Sequence, residues 1–185
     1  MKLEILDRLH RCATVLAASA ACLCGTACST IDTMPAQPWD PAAKWVLLPL
    51  RNHTETPQAG LRADAVVESL VRIRRPELTR YPADLNPETL FEQNDVKLLE
   101  RSLAWARAQG ARYAVTGMVD EWRYKVGVDG EPAVGLTLQV LDVESGRVLW
   151  NAVGAKTGFS RESVAGVAQK LAREMLEPVT RPAGK

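Results

Sequence analysis

Ala133-Val134-Gly135-Leu136-Thr137-Leu138-Gln139-Val140-Leu141-Asp142-Val143 alternates along its length. Side chains on a strand point to opposite faces in turn, so Val134, Leu136, Leu138 and Val140 share one face and Thr137, Gln139 and Leu141 the other. That pattern belongs to a strand with one buried and one wetter face. Arg112 to Val126 precedes it as a long strand, joined through the hairpin signal Asp129-Gly130. Glu144-Ser145-Gly146-Arg147 turns the chain back into a third strand, Val148 to Lys156. These three strands predict an antiparallel meander. Beyond it, Val164, Val167, Ala168, Leu171 and Met175 form an apolar stripe at helical spacing. This predicts a helix capped by Ser160, running to Glu177 and ended by Pro178, with a disordered tail after Thr180.

Upstream, Lys44 to Leu50 is a short apolar run, the signature of a strand buried on both faces. Pro49 belongs at its end, where no ladder donor is needed. Thr56-Pro57 fits a helix cap and first helical residue. The helix then runs to about Arg74, with Leu61, Ala65, Leu70 and Ile73 near one stripe. Leu78 to Tyr81 suits a short strand, and Pro82 to Glu92 a loop or irregular helix. Asp95 caps a helix to Gln109, with Val96, Leu99, Leu103 and Ala106 at helical spacing and Gly110 just past its end. The expected fold class is α/β in the α+β sense: a mostly antiparallel sheet with helices packed over one face.

The front of the chain has its own logic. Lys2, Arg8 and Arg11 precede an apolar run from Cys12 to Cys24, a charged region followed by a segment of secretory length. The run is too short to span a bilayer as a stable helix. Leu23-Cys-Gly-Thr-Ala-Cys-Ser29 then resembles a lipobox, in which a cysteine becomes the acylated mature N-terminus. Gly25 stands where most lipoboxes carry a large aliphatic residue, and Gly25-Thr26-Ala27 also suits ordinary signal peptidase. Both enzymes would cut before Cys28, leaving either a lipidated cysteine or a free thiol. All four cysteines lie within residues 12–28, so a mature chain has neither a disulfide within itself nor a cysteine-based metal site. A lone mature thiol in an oxidising compartment favours acylation, and several acyl chains anchor stably where one does not. Ser29 rather than Asp after the cysteine suggests outer-membrane sorting. The expected organisation is a signal peptide over 1–27, a lipidated tether over 28–43 and one domain over 44–180. Without residues 1–27 the chain keeps 20 basic and 20 acidic side chains, having lost Lys2, Arg8, Arg11, Glu4 and Asp7. This neutrality gives no argument for nucleic-acid binding.

Reaction chemistry finds little support. His53 is the only mature histidine, there is no G-x-S-x-G elbow, and neither a dinucleotide fingerprint nor a phosphate-binding loop occurs. One His without Cys does not make a zinc site. Carboxylates do cluster in sequence, at Asp120-Glu121, at Asp129 and Glu131, and at Asp142 and Glu144. Neighbours on a strand face opposite ways, so Asp120 and Glu121 are not expected to act as a facing pair. One of them must nevertheless leave the buried face. Trp150 and Trp122 each suit either a core position or a ring seated at a lipid interface.

Trp45-Val-Leu-Leu-Pro-Leu50, Asn52 and Glu55-Thr-Pro-Gln-Ala-Gly60 resemble the PelC family, lipoproteins of bacterial Pel exopolysaccharide export. The leader, the Gly117 and Leu149-Trp150 strands and the terminal helix follow the same plan. The resemblance implies a sandwich like TolB and the N-terminal part of CsgG. It implies a non-enzymatic outer-membrane lipoprotein on the periplasmic face that assembles into a ring. It implies PelB, the porin-scaffold, as partner, and no cofactor. The ring would guide a cationic amino-sugar polymer toward the export pore. Asp120 and Glu121 are the acidic residues expected to do so, with Asp129, Glu131 and Asp142 as weaker candidates. Cys28 would carry the lipid, and Trp150 and Trp122 are the candidate membrane contacts. A second reading shares tether and fold: an outer-membrane activator that docks a periplasmic cell-wall synthase, as LpoB-type proteins do.

Overall fold

The computed structural model describes residues 29–35, 37–82, 85, 95–127 and 130–180. Within them the sheet has six strands: β1 (Ser29–Thr33), β2 (Trp45–Asn52), β3 (Thr79–Arg80), β4 (Tyr113–Tyr124), β5 (Pro132–Asp142) and β6 (Val148–Thr157). Their order across the sheet is β1-β6-β5-β4-β2-β3. The β4-β5-β6 meander is antiparallel as expected, β1 adds to it antiparallel, and β2 runs parallel to both β4 and β3. Helices α1 (Ala59–Arg72), α2 (Asp95–Ala108) and α3 (Val164–Thr180) complete the fold.

The helices do not all lie over one face. α1 and α3 cover the face that carries Val134, Leu136, Leu138 and Val140, and together they enclose the main core. α2 packs on the opposite face, where Leu103 and Ala106 meet Val46, Leu48, Ala114, Leu141 and Val143. The expected buried strand is β2, whose first six residues are buried on both sides. Pro49 lies inside it rather than at its end. A register shift between Leu47 and Leu50 absorbs the proline. Past the proline the backbone turns to a side chain of α1, with Leu50 N donating to Asp64 Oδ1 at 2.8 Å. The Pro49 carbonyl accepts from Thr116 Oγ1 at 3.0 Å.

Two helix starts differ from the sequence expectation. α1 begins at Ala59, after Gln58 in the left-handed region (φ 59°), because the Thr56 hydroxyl is used elsewhere. It donates to the Trp122 carbonyl at 2.6 Å. The buried stripe of α1 is Ala59, Ala63, Val67, Leu70 and Val71, while Ala65 and Ile73 face water. α3 is capped by Ser163, not Ser160: Ser163 Oγ accepts from Gly166 N at 3.0 Å. Pro178 is accommodated in its last turn. The α3 stripe itself is as read, with Val164, Val167, Ala168, Leu171 and Met175 all buried.

The expected tether is largely part of the fold. Ser29 to Thr33 pairs with β6, and Ile31 packs against the core. The next residues stay docked, with Met34 N donating to Asn151 O at 2.9 Å and Gln37 Nε2 to Leu149 O at 3.1 Å. Trp39 is buried edge-on against Trp45 and Tyr113, at ring distances of 5.2 and 5.3 Å. Residues 1–28 and the tail after Thr180 lie outside the described residues.

A carboxylate-edged groove on the open face of the sheet

α2 covers only one end of its face, the end where β4 begins. The other end is open, and there β1, β6, β5 and β4 form the floor of a concavity of about 1110 Å³. Small or short residues pave it: Thr30, Ala155, Gly135, Val153 and Thr137. The loop from His53 to Pro57 forms one wall. That loop is tied down by the Thr56–Trp122 hydrogen bond and by Asn52, whose Oδ1 accepts from Thr54 N at 3.0 Å.

Asp120 and Glu121 both line this groove. The alternation rule would have sent them to opposite faces, and a β-bulge overrides it. Val119 pairs with Leu136 and Glu121 with Gly135, leaving Asp120 as the extra residue on β4. The phase of the strand therefore resets. Val119 and Trp122 point into the core, and both carboxylates between them go outward. Gly135 makes room for this. A Cβ placed there would lie 3.3 Å from Glu121 Cβ and 3.5 Å from Asp120 Cβ. Asp120 Oδ2 accepts from Thr137 Oγ1 at 2.9 Å, and Glu121 Oε1 accepts from Arg123 Nε at 2.8 Å.

A third carboxylate, Asp32 of β1, stands on the far bank opposite Val153. Three strand spacings, about 14 Å, separate it from Asp120. The sequence places Ser29-Thr-Ile-Asp-Thr33 in the tether, where Asp32 carries no site, and only pairing with β6 brings it to the groove. Its β-branched residues around one inward Ile were the available signal. Glu55 adds an exposed carboxylate on the loop wall. His53, also on that wall, sits 2.8 Å from Asp95 at the start of α2, and Arg51 lies 3.9 Å from the same carboxylate.

The other sequence candidates separate from this site. Asp142 is at the opposite end of the sheet, paired with Tyr113. Its Oδ1 accepts from the Ser145 hydroxyl at 2.6 Å and from Ser145 N at 2.8 Å. Those bonds, the hydroxyl first, hold its carboxyl below the ordinary range, so it closes the β5–β6 turn. Glu131 is half-buried in the β4–β5 connection, where its carbonyl accepts from Lys125 N at 2.7 Å. Asp129 and Cys28 lie outside the described residues. The two tryptophans are corrected to core positions. Trp150 is 0% exposed and its indole N–H donates to Met34 O at 3.1 Å, while Trp122 is 4% exposed. Neither ring can rest in lipid from there. Among the described residues no group of three His, Cys, Asp or Glu side chains is placed to hold a metal.

Fold and groove together define a class: a small α+β domain with two helices on one sheet face and an acidic, half-open groove on the other. The lipoprotein GNA1162 from Neisseria meningitidis shares the fold at 15% identity over 76% of this chain and 99% of that one, with a TM-score of 0.52. No protein-family model matches the chain, and no curated protein matches it at significance. A solved PelC dodecamer from Paraburkholderia phytofirmans is 34% identical, covering 83% of this chain and 99% of that one, with a TM-score of 0.70. Its L103M form gives the same identity and coverage and a TM-score of 0.69. The chain belongs to the PelC family.

Proposed function

We propose that this protein is an outer-membrane lipoprotein, anchored through an acylated Cys28 on the periplasmic face. It assembles into a ring and guides a cationic exopolysaccharide, Pel, toward the export pore, with PelB as its outer-membrane partner. It acts without catalysis, through surface charge. The single observation that carries this reading is the bulge that turns Asp120 and Glu121 together onto the open face. In a closed ring every subunit repeats that pair around the axis. A carboxylate repeated in this way builds a field that attracts a polymer bearing free amines. Family membership supports the ring, since the Paraburkholderia phytofirmans relative is a dodecamer.

The test is Asp120→Asn with Glu121→Gln in the full chain. Polymer export should fall while the amount of folded, membrane-associated protein stays at the wild-type level. Undiminished export by that variant would remove the groove from the function.

A further inference from the structure

Among the described residues three buried side-chain nitrogens find no acceptor: Trp39 Nε1, Trp45 Nε1 and Arg75 Nε. They belong to one cluster, at the end of the sheet where β2 and β4 begin and Trp45 pairs with Tyr113. The rings of Trp39 and Trp45 lie 5.2 Å apart, and the guanidinium carbon of Arg75 lies 4.0 Å from the Trp45 ring centre. A buried donor without an acceptor costs free energy, so its presence in a folded chain needs a reason. Arg75 is the one a partner can reach, being half-exposed while both indoles are buried. Burial pulls its pKa below the ordinary value, and Glu77 nearby acts the other way without bonding to it. The Trp45 ring attracts the cation and holds it in place, but it offers no pair of oxygens. A guanidinium fixed like this is preorganised to take a carboxylate through two parallel hydrogen bonds.

The surface around Arg75 is of one kind. Arg72 ends α1, and Ile73 and Arg74 follow it. Ile73 is 70% exposed, and the exposed Arg74 side chain has no ion pair or hydrogen bond in the fold. Arg72 is held by Glu68 at 2.9 Å, and Arg112, beside Tyr113, by Asp40 at 3.2 Å. A helix C-terminus favours cations, which accounts for Arg72 and Arg74. It does not account for a desolvated Arg75 without an acceptor, nor for the bare isoleucine. All four cations are arginines, the residue that protein interfaces enrich while they deplete lysine.

We propose that Ile73, Arg74 and Arg75 form a docking surface for an acidic segment of a partner protein. Its carboxylates pair with the two arginines, and one of its apolar side chains covers Ile73. The isoleucine is what selects a polypeptide over a bare anion, since a phosphate ion would leave it in water. The surface is separate from the carboxylate groove, and the inference uses neither the anchor nor the polymer.

The test uses the full chain in detergent and a fluorophore-labelled synthetic peptide of four glutamates around one leucine, read by anisotropy. Binding should saturate, weaken with salt, drop about tenfold in Arg75→Gln and in Arg74→Glu, and drop several-fold in Ile73→Ser. The same peptide with glutamines in place of its glutamates should not bind. Because the Arg74 side chain makes no bond in the fold, Arg74→Glu gives the answer even where Arg75→Gln lowers the melting temperature. No saturable binding, or binding that both arginine variants leave unchanged, overturns the inference. So does displacement of the peptide by inorganic phosphate as readily as by unlabelled peptide, which would mark a simple anion site. A fall in oligomeric mass in Arg74→Glu also overturns it, since the surface would then be a contact between copies.

Discussion

Trp150 changes role once it is placed in the sheet. Strand alternation puts it with Ala152 on the face that α3 covers, and its one polar atom finds the Met34 carbonyl. Deleting a fully buried aromatic ring leaves a cavity the surroundings only partly fill. Trp150→Ala should therefore lower unfolding free energy by about 3–5 kcal/mol, measured by chemical denaturation. A near wild-type midpoint would return the ring to the surface. Asp142 shows the same dependence on place. Its carboxyl is held low by Ser145, so its stabilising contribution is present above the unfolded value and is lost as pH falls through the folded one. Asp142→Ala should cost about 1 kcal/mol at neutral pH. That difference from wild type should shrink toward nothing below the carboxylate range.

Among the elements, β4 contains the decisive irregularity. Gly117 lets β5 approach so closely that a Cβ there would sit 2.1 Å from the Thr137 carbonyl oxygen. Thr137 is also the residue that donates to Asp120. Gly117→Ala should push the two strands apart and cost about 3 kcal/mol, with loss of amide exchange protection across the β4–β5 ladder. Unchanged protection would mean the close approach is not needed. The meander, the α3 stripe and the doubly buried β2 were legible because each is a local periodicity. The bulge was not, because an extra residue in a ladder is defined only by the partner strand. The start of α1 differs for a related reason: the Thr56 hydroxyl suits a cap, but its bond to the Trp122 carbonyl is made across the fold, whereas the Ser163 cap is a local contact with Gly166 N.

For the molecule as a whole, the proposed ring is what would multiply the charge of the groove. Native mass spectrometry of the detergent-solubilised lipoprotein should show a closed oligomer rather than a monomer; a monomer under conditions that keep the chain folded would undo the charge-repeat argument. The family, the α+β class and the antiparallel meander were all readable in the residues alone. These follow from side-chain type at short spacing, which a strand or helix converts directly into faces. Tertiary structure decided that the pair shares one face, that Asp32 joins it, that Asp142 belongs to a distant turn, and that the supposed tether is an edge strand. Each of those depends on which strand lies beside which. Turn residues announce the pairing of consecutive strands, but the extra residue within the β4–β5 ladder and the pairing of β1 with β6 are set by contacts that no turn signal carries.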